Sequence, residues 1–123
     1  MPLRCLIVDD SDHFKEAARM LLEADGIAVV GTVSTTAETL RSFRELRPDL
    51  VLVDIDLGEE NGFDLALRLY EEAGDRPPRV ILISTYDEQD FAEMITTSPA
   101  LAFLSKPRLS GRAIDEILRG ADA

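Results

Sequence analysis

Five short apolar runs alternate with five amphipathic segments along the 123 residues. The first run, Leu3 to Val8, is continuous and rich in branched residues, which predicts a strand buried on both faces. Phe14, Ala17, Ala18, Leu21 and Leu22 then recur at the spacing of one helical face, and Gly26 supplies a stop. Ile27 to Val33 predicts a second strand. Thr35 and Glu38 have the spacing of a capping box and open a helix with an apolar stripe of Ala37, Leu40, Phe43 and Leu46, ended by Pro48. Leu50 to Val53 predicts the third strand and delivers Asp54 and Asp56 at its carboxyl end. Gly58 to Gly62 reads as a loop. Phe63, Ala66, Leu67 and Tyr70 line a third helix, with Gly74, Pro77 and Pro78 closing the unit. Val80 to Ile83 predicts a fourth strand that ends in Ser84 and Thr85. Asp87 to Thr97 carries the weakest helical pattern, because only Phe91, Ala92, Met94 and Ile95 are apolar there. Leu101 to Leu104 predicts the fifth strand, and Ser110 caps a last helix that turns Ala113, Ile114, Ile117 and Leu118 inward.

Strict alternation of strand and helix points to an α/β fold, a parallel sheet with helices on both faces and right-handed crossovers. No linker, repeat or low-complexity segment interrupts it, so one domain over residues 1–123 is expected. A formal net charge of −11 sets this surface against phosphate backbones and anionic headgroups. Direct nucleic-acid binding and membrane association are therefore not expected. Suitable partners are cations, basic protein surfaces, or proteins that bind through apolar contact. The single cysteine, Cys5, excludes an internal disulfide and sits in an apolar run, where a buried, inert thiol is expected. No run approaches the roughly 20 apolar residues of a membrane span. Asp9 and Asp10 interrupt the first apolar run too early for a signal peptide, so a cytoplasmic location is expected.

The chemistry lies at the predicted strand ends. In open parallel sheets, ligands bind outside the carboxyl ends of the strands, near the topological switch point. There strand one offers Asp9 and Asp10, strand three Asp54, strand four Ser84 and Thr85, and strand five is followed by Lys106 and Pro107. Clustered carboxylates repel each other unless a cation or a proton intervenes. Oxygen-only ligation by few protein groups suits Mg²⁺. A carboxylate beside that ion is a competent nucleophile toward phosphorus, giving an aspartyl phosphate, with Lys106 as a point charge on the transferring oxygens. Ser84 then offers a hydroxyl to a phosphoryl oxygen. Plainer readings exist for each residue. Asp9 and Asp10 can cap the first helix with Ser11 and Asp12. Asp54 and Asp56 can be turn residues, Lys106 a solvated lysine, Phe103 a core aromatic, and His13 a solvated residue of the first helical turn. Helix capping leaves the acidic position on strand three unexplained.

Taken together, Leu6-Ile7-Val8-Asp9-Asp10, Val51-Leu52-Val53-Asp54 with Gly62 after its loop, Ser84, and Phe103-Leu104-Ser105-Lys106-Pro107 resemble the receiver domain of two-component response regulators over essentially the whole chain. The resemblance implies a flavodoxin-like, doubly wound sheet of five parallel strands in the order 2-1-3-4-5. It implies that Asp54 accepts a phosphoryl group from a histidine kinase or phosphotransfer protein. Asp9 and Asp10 would hold Mg²⁺ with Asp54 and the Asp56 backbone carbonyl. Ser84 and Phe103 would be switch residues, Lys106 would pair with the phosphoryl group, and the peptide before Pro107 would be cis. The output would be a changed surface of helix four, strand five and helix five, open to homodimer formation. Such a domain assists its own phosphorylation and dephosphorylation without turning over an external substrate. This sequence departs from the family in placing Gly58 where proline is frequent, which suggests a less rigid loop. It also sets Thr85 and the bulky Tyr86 beside the site, where Tyr86 would shield the phosphoryl group from water. Asp54-Ile55-Asp56-Leu57-Gly58 also resembles the Asp-x-Asp start of haloacid-dehalogenase-type phosphatases, although those carry their nucleophile on the first strand. A third reading is a receiver-like binding module that works without phosphorylation.

Overall fold

The apolar runs assemble into one parallel sheet in the computed structural model, which describes residues 2–74 and 79–122. The proposed stop at Pro77 and Pro78 lies outside these residues. In chain order the elements are β1 (Arg4–Val8), α1 (Asp12–Ala24), β2 (Ala28–Val33), α2 (Thr36–Leu46), β3 (Leu50–Asp54), β4 (Asp56–Leu57), β5 (Glu60–Asn61), α3 (Gly62–Ala73), β6 (Arg79–Ser84), a 3₁₀ turn (Glu88–Phe91), α4 (Ala92–Thr97), β7 (Ala102–Ser105), a second 3₁₀ turn (Lys106–Arg108) and α5 (Gly111–Asp122). The sheet order is β2-β1-β3-β6-β7, all parallel. This is the 2-1-3-4-5 order of a doubly wound fold, with the small β4-β5 hairpin taking two labels between the third and fourth sheet strands.

The continuous apolar runs serve two cores at once, because successive strand side chains point to opposite faces. Cys5, Ile7, Leu50, Leu52, Ile81 and Ile83 pack with Ala18 and Leu22 of α1 and Ile114 and Leu118 of α5. Leu6, Val8, Val51, Val53, Val80 and Leu82 pack with Leu40 and Phe43 of α2 and Leu65, Ala66 and Leu69 of α3. Each fully buried Val, Leu or Ile contributes about 1.5–3 kcal/mol. Cys5 lies within the first core, where burial pushes its thiol up to about 12 and leaves it inert.

The helix ends are chemically specified. Ser11 Oγ accepts the Phe14 N–H at 3.2 Å, Thr35 Oγ1 the Glu38 N–H at 3.2 Å, Asn61 Oδ1 the Phe63 N–H at 2.7 Å, and Ser110 Oγ the Ala113 N–H at 3.0 Å. Glu38 reaches back to the Ser34 N–H at 3.1 Å, one residue beyond a regular capping box. That bond, ahead of the cost of burial, holds its carboxyl below the usual range.

Four sequence expectations need correction. The inward stripe of α1 is Phe14, Lys15, Ala18 and Leu22, while Ala17 and Leu21 face solvent. In α2, Ala37 is exposed and Thr39 is buried in its place. In α3, Leu65, Ala66 and Leu69 face the core and Leu67 is half exposed. Each shift turns the buried face by about one residue, because the sheet selects the strip it covers from a wider apolar pattern. The peptide before Pro107 is trans, as are all described peptide bonds. Pro107 sits in the first turn of a 3₁₀ helix, where its fixed φ suits the trans chain and no N–H is needed.

Candidate functional site

Four strand ends converge. Asp54 is the last residue of β3 and Ser84 the last of β6. Asp9 follows β1, and Lys106 opens the turn after β7. Each strand fixes its residue: the Asp9 N–H still donates to Val33 O at 3.0 Å, and Ser84 is in register with Ser105 of β7. Asp9, Asp54 and Ser84 are buried, and Asp10 is exposed. Ser11 caps α1, so Asp9 and Asp10 are not needed for that task.

Oxygens of Asp9, Asp10 and Asp54 lie within 4.8 Å of one another. Lys106 Nζ stands 2.7 Å from Asp9 Oδ2 and 3.0 Å from Asp54 Oδ2. It also lies 4.3 Å from the centre of the Phe14 ring. The two buried carboxylates keep their other oxygens on backbone donors: Asp9 Oδ1 accepts from Ser11 N at 2.8 Å, and Asp54 Oδ1 from Asp56 N at 3.0 Å. Asp9 Oδ2 is different. It is buried without a hydrogen bond, its Lys106 contact being an ion pair poorly aligned for one. A buried carboxylate oxygen held only by an ion pair, on a carboxylate clustered with two others, belongs to a donor set that suits a hard divalent cation.

The electrostatics agree. Burial pushes the Asp54 carboxyl up to about 6, and the Asp9 charge adds to the rise; the Asp56 N–H and Lys106 pull the other way. Burial pulls Lys106 down, but its close contacts with the Asp9 and Asp54 carboxylates outweigh it and hold the ammonium above its ordinary value. Lys106 therefore remains charged.

The sequence matches the family model of the response regulator receiver domain over residues 5–118. The chain is a response regulator receiver domain. Response regulator GacA of Pseudomonas viridiflava is 30% identical over 105 residues, which cover 85% of this chain and 48% of that protein. A protein-glutamate methylesterase/protein-glutamine glutaminase of Syntrophus aciditrophicus is 34% identical over 119 residues, covering 92% of this chain and 33% of that protein. This receiver domain thus spans about half or less of the curated relatives it matches. Among solved structures, a LuxR-family two-component response regulator from Aurantimonas sp. SI85-9A1 superposes with a TM-score of 0.85 at 26% identity, covering 98% of this chain and 87% of that one. The signal receiver domain of a NarL response regulator from Mycobacterium tuberculosis gives 0.81 at 25%, covering 99% and 98%.

Other named residues of the receiver domain lie around this centre. Ser84 Oγ accepts the Tyr86 N–H at 3.0 Å, so its hydroxyl is engaged by its own loop. Thr85 is exposed, and Tyr86 leans edge-on against Phe91 with ring centres 6.1 Å apart. Phe103 is half-buried against the core on the α2 and α3 side. His13 is exposed. The Asp56 carboxylate is exposed and accepts the Gly58 N–H at 3.2 Å, turned to its own hairpin, which does not favour a second catalytic aspartate of the haloacid-dehalogenase kind.

Gly58 shapes the loop after Asp54, part of which is a hairpin. Its φ of +75° lies where proline cannot go, and it starts the two-residue turn of the β4-β5 hairpin. The hairpin is tied down, since Glu60 Oε1 accepts the Thr36 N–H at 2.8 Å and Leu57 is buried. Three contributors were not read from sequence: Phe14 under the ammonium, the Glu60 tether, and the steric role of Gly62. A Cβ on Gly62 would fall 2.2 Å from Asp54 O. Alternation around Gly58 was the available signal for the hairpin; nothing local signals the other contacts.

Proposed function

We propose that Asp54 accepts a phosphoryl group from a histidine kinase or phosphotransfer protein in a Mg²⁺-dependent step, and that this switches the surface of α4, β7 and α5. The observation that carries the reading is the cluster itself: three carboxylates with oxygens inside 4.8 Å, a buried Asp9 Oδ2 that makes no hydrogen bond, and a lysine between Asp9 and Asp54. Asp9, Asp10, Asp54 and the Asp56 backbone carbonyl are the groups that would hold Mg²⁺, which when bound neutralises charge on the transferring oxygens. The Asp56 N–H holds Asp54 Oδ1, leaving Oδ2 as the nucleophile. Oδ2 forms the bond to phosphorus as the bond to the donor's imidazole nitrogen breaks, and the imidazole keeps the electron pair and takes a proton from solvent. Lys106, charged and already on Oδ2, passes to a phosphoryl oxygen.

Ser84 then turns to donate its O–H to a phosphoryl oxygen, and Phe103 moves into the space released. This is a two-state population shift, read by a partner or by homodimer formation through α4, β7 and α5. Thr85 and Tyr86 border access to the phosphoryl group, and Tyr86 slows its hydrolysis. The domain, a single unit over residues 1–123, acts in the cytoplasm, assists its own phosphorylation and dephosphorylation, and contacts neither nucleic acid nor membrane. Among the described residues no helix is long and apolar enough to cross a membrane. α1 begins beside Asp10 and turns Ala17, Met20 and Leu21 to solvent, an apolar strip suited to a donor protein docking next to the acceptor.

Incubation with acetyl phosphate and Mg²⁺, read by intact mass, tests the proposal. One phosphoryl group should add to the parent, and none to Asp54→Asn or to the parent in EDTA. An unlabelled parent would favour the phosphorylation-independent binding module.

A further inference from the structure

A cavity of about 470 Å³ lies beside the acceptor, between the β4-β5 hairpin and α4. Its floor is a chain of rings and one thioether. The ring centres of Phe63 and Phe91 lie 6.2 Å apart and those of Phe91 and Tyr86 6.1 Å apart, and Met94 lines the cavity with them. These groups are not sealed: Tyr86 is 56% and Met94 43% exposed. Every charged residue lining the cavity is acidic, namely Asp56, Glu59 and Glu60. We infer that this groove is a docking site for a partner segment that carries an arginine or lysine beside an apolar side chain.

The two halves of that description come from different features. Aromatic faces and a methionine accept an apolar side chain, and the ring faces also attract a cation. The acidic rim attracts the cation and disfavours acidic segments. A second copy of this chain, with its net charge of −11, suits this acidic groove less well than a basic segment does, whatever use it makes of the α4-β7-α5 face. The groove is also wired to the acceptor site. Asp56 lines it and donates its N–H to Asp54 Oδ1, while Tyr86 lines it and donates its N–H to Ser84 Oγ. When Ser84 turns to a phosphoryl oxygen the Tyr86 wall moves, so occupancy and the state of Asp54 are linked reciprocally. This linkage rests on the function proposed above; the docking site does not.

The full chain, uniformly ¹⁵N-labelled with ¹³C-methyl methionine, is titrated by NMR with acetyl-Arg-Leu-Arg-amide. Acetyl-Glu-Leu-Glu-amide and acetyl-Gly-Leu-Gly-amide serve as controls. Shifts are expected at Phe63, Tyr86, Phe91 and the Met94 methyl, with the basic peptide only, and they should weaken with added salt. Met94→Glu, which places a charge among the apolar lining groups, and Glu59→Lys should each weaken binding by about fivefold or more, while Glu23→Lys, an equal charge change at an exposed position of α1, should not. Shifts that map elsewhere, or equal affinity in all three variants, would show general attraction to an acidic protein and overturn the site. Equal binding of the neutral or acidic peptide overturns the choice of partner. Concentration-dependent shifts at these residues without peptide would assign the groove to self-association instead. Repeating the titration after acetyl phosphate treatment reads the linkage alone: an unchanged affinity in fully labelled protein removes that part and leaves the docking site standing.

Discussion

Replacing Gly62 by alanine sets two effects of known size against each other. Gly62 is the first residue of α3, and in an open helical position alanine would add up to about 1 kcal/mol. Here the added Cβ would meet Asp54 O at 2.2 Å, Ile55 Cα at 2.6 Å and Asp54 C at 2.8 Å. Ordinary contact begins near 3.4 Å, so about 1.2 Å must be found against backbone that cannot rotate aside. Overpacking of this kind costs about 1–3 kcal/mol, which exceeds the propensity gain. Gly62→Ala should therefore lose about 1–2 kcal/mol in urea unfolding. Two of these three atoms belong to Asp54, so acetyl phosphate labelling should slow by about tenfold to a hundredfold. Gly120→Ala is the internal control. It lies exposed in the last turn of α5 with no atom within 4 Å of its would-be Cβ, and should gain about 0.5 kcal/mol with unchanged labelling. Parental stability and labelling in Gly62→Ala would refute the steric argument.

Asp54→Asn should stabilise the metal-free protein. The folded carboxyl titrates near 6 and the unfolded one near 4, so the parent's contribution from Asp54 is fullest below pH 4 and is lost as pH rises through 6. The advantage of Asp54→Asn in urea midpoint should therefore widen between pH 4.5 and pH 7.5; a gap that narrows contradicts the raised carboxyl. Gly58→Pro should destabilise by more than about 1 kcal/mol, because φ at that turn is +75°, and chemical denaturation would show it. Tyr86→Ala should release phosphate from Asp54 faster than the parent, measured by loss of the phosphoryl mass, and an equal or slower rate rejects the shielding role.

Much of the centre was legible because strand ends are marked locally. The apolar runs stop at Asp9, Asp54 and Ser84, and the order of elements leaves those ends on one edge of a parallel sheet. The choice of cap was half legible: Ser11 and Asp9 compete on paper, and only the buried Asp9, bonded to the Ser11 N–H, shows which is which. The stretch after Asp54 reads as a plain loop, but the positive φ of Gly58 turns a short hairpin there, and Glu60 ties it to α2. Phe14 passed as a core aromatic, with nothing in its neighbours to place it against an ammonium 92 positions later.

The sequence by itself determined the layered α/β architecture and the set of groups at the strand ends. Hydrophobic periodicity and backbone capping act over a few residues, and a strand end fixes its own last side chain. Only the tertiary structure decided which helical strip is buried, whether the bond before Pro107 is trans, how Asp54 is desolvated, and why Gly62 admits no side chain. Those outcomes depend on distances between atoms far apart in the chain, where burial and steric contact have no local signature.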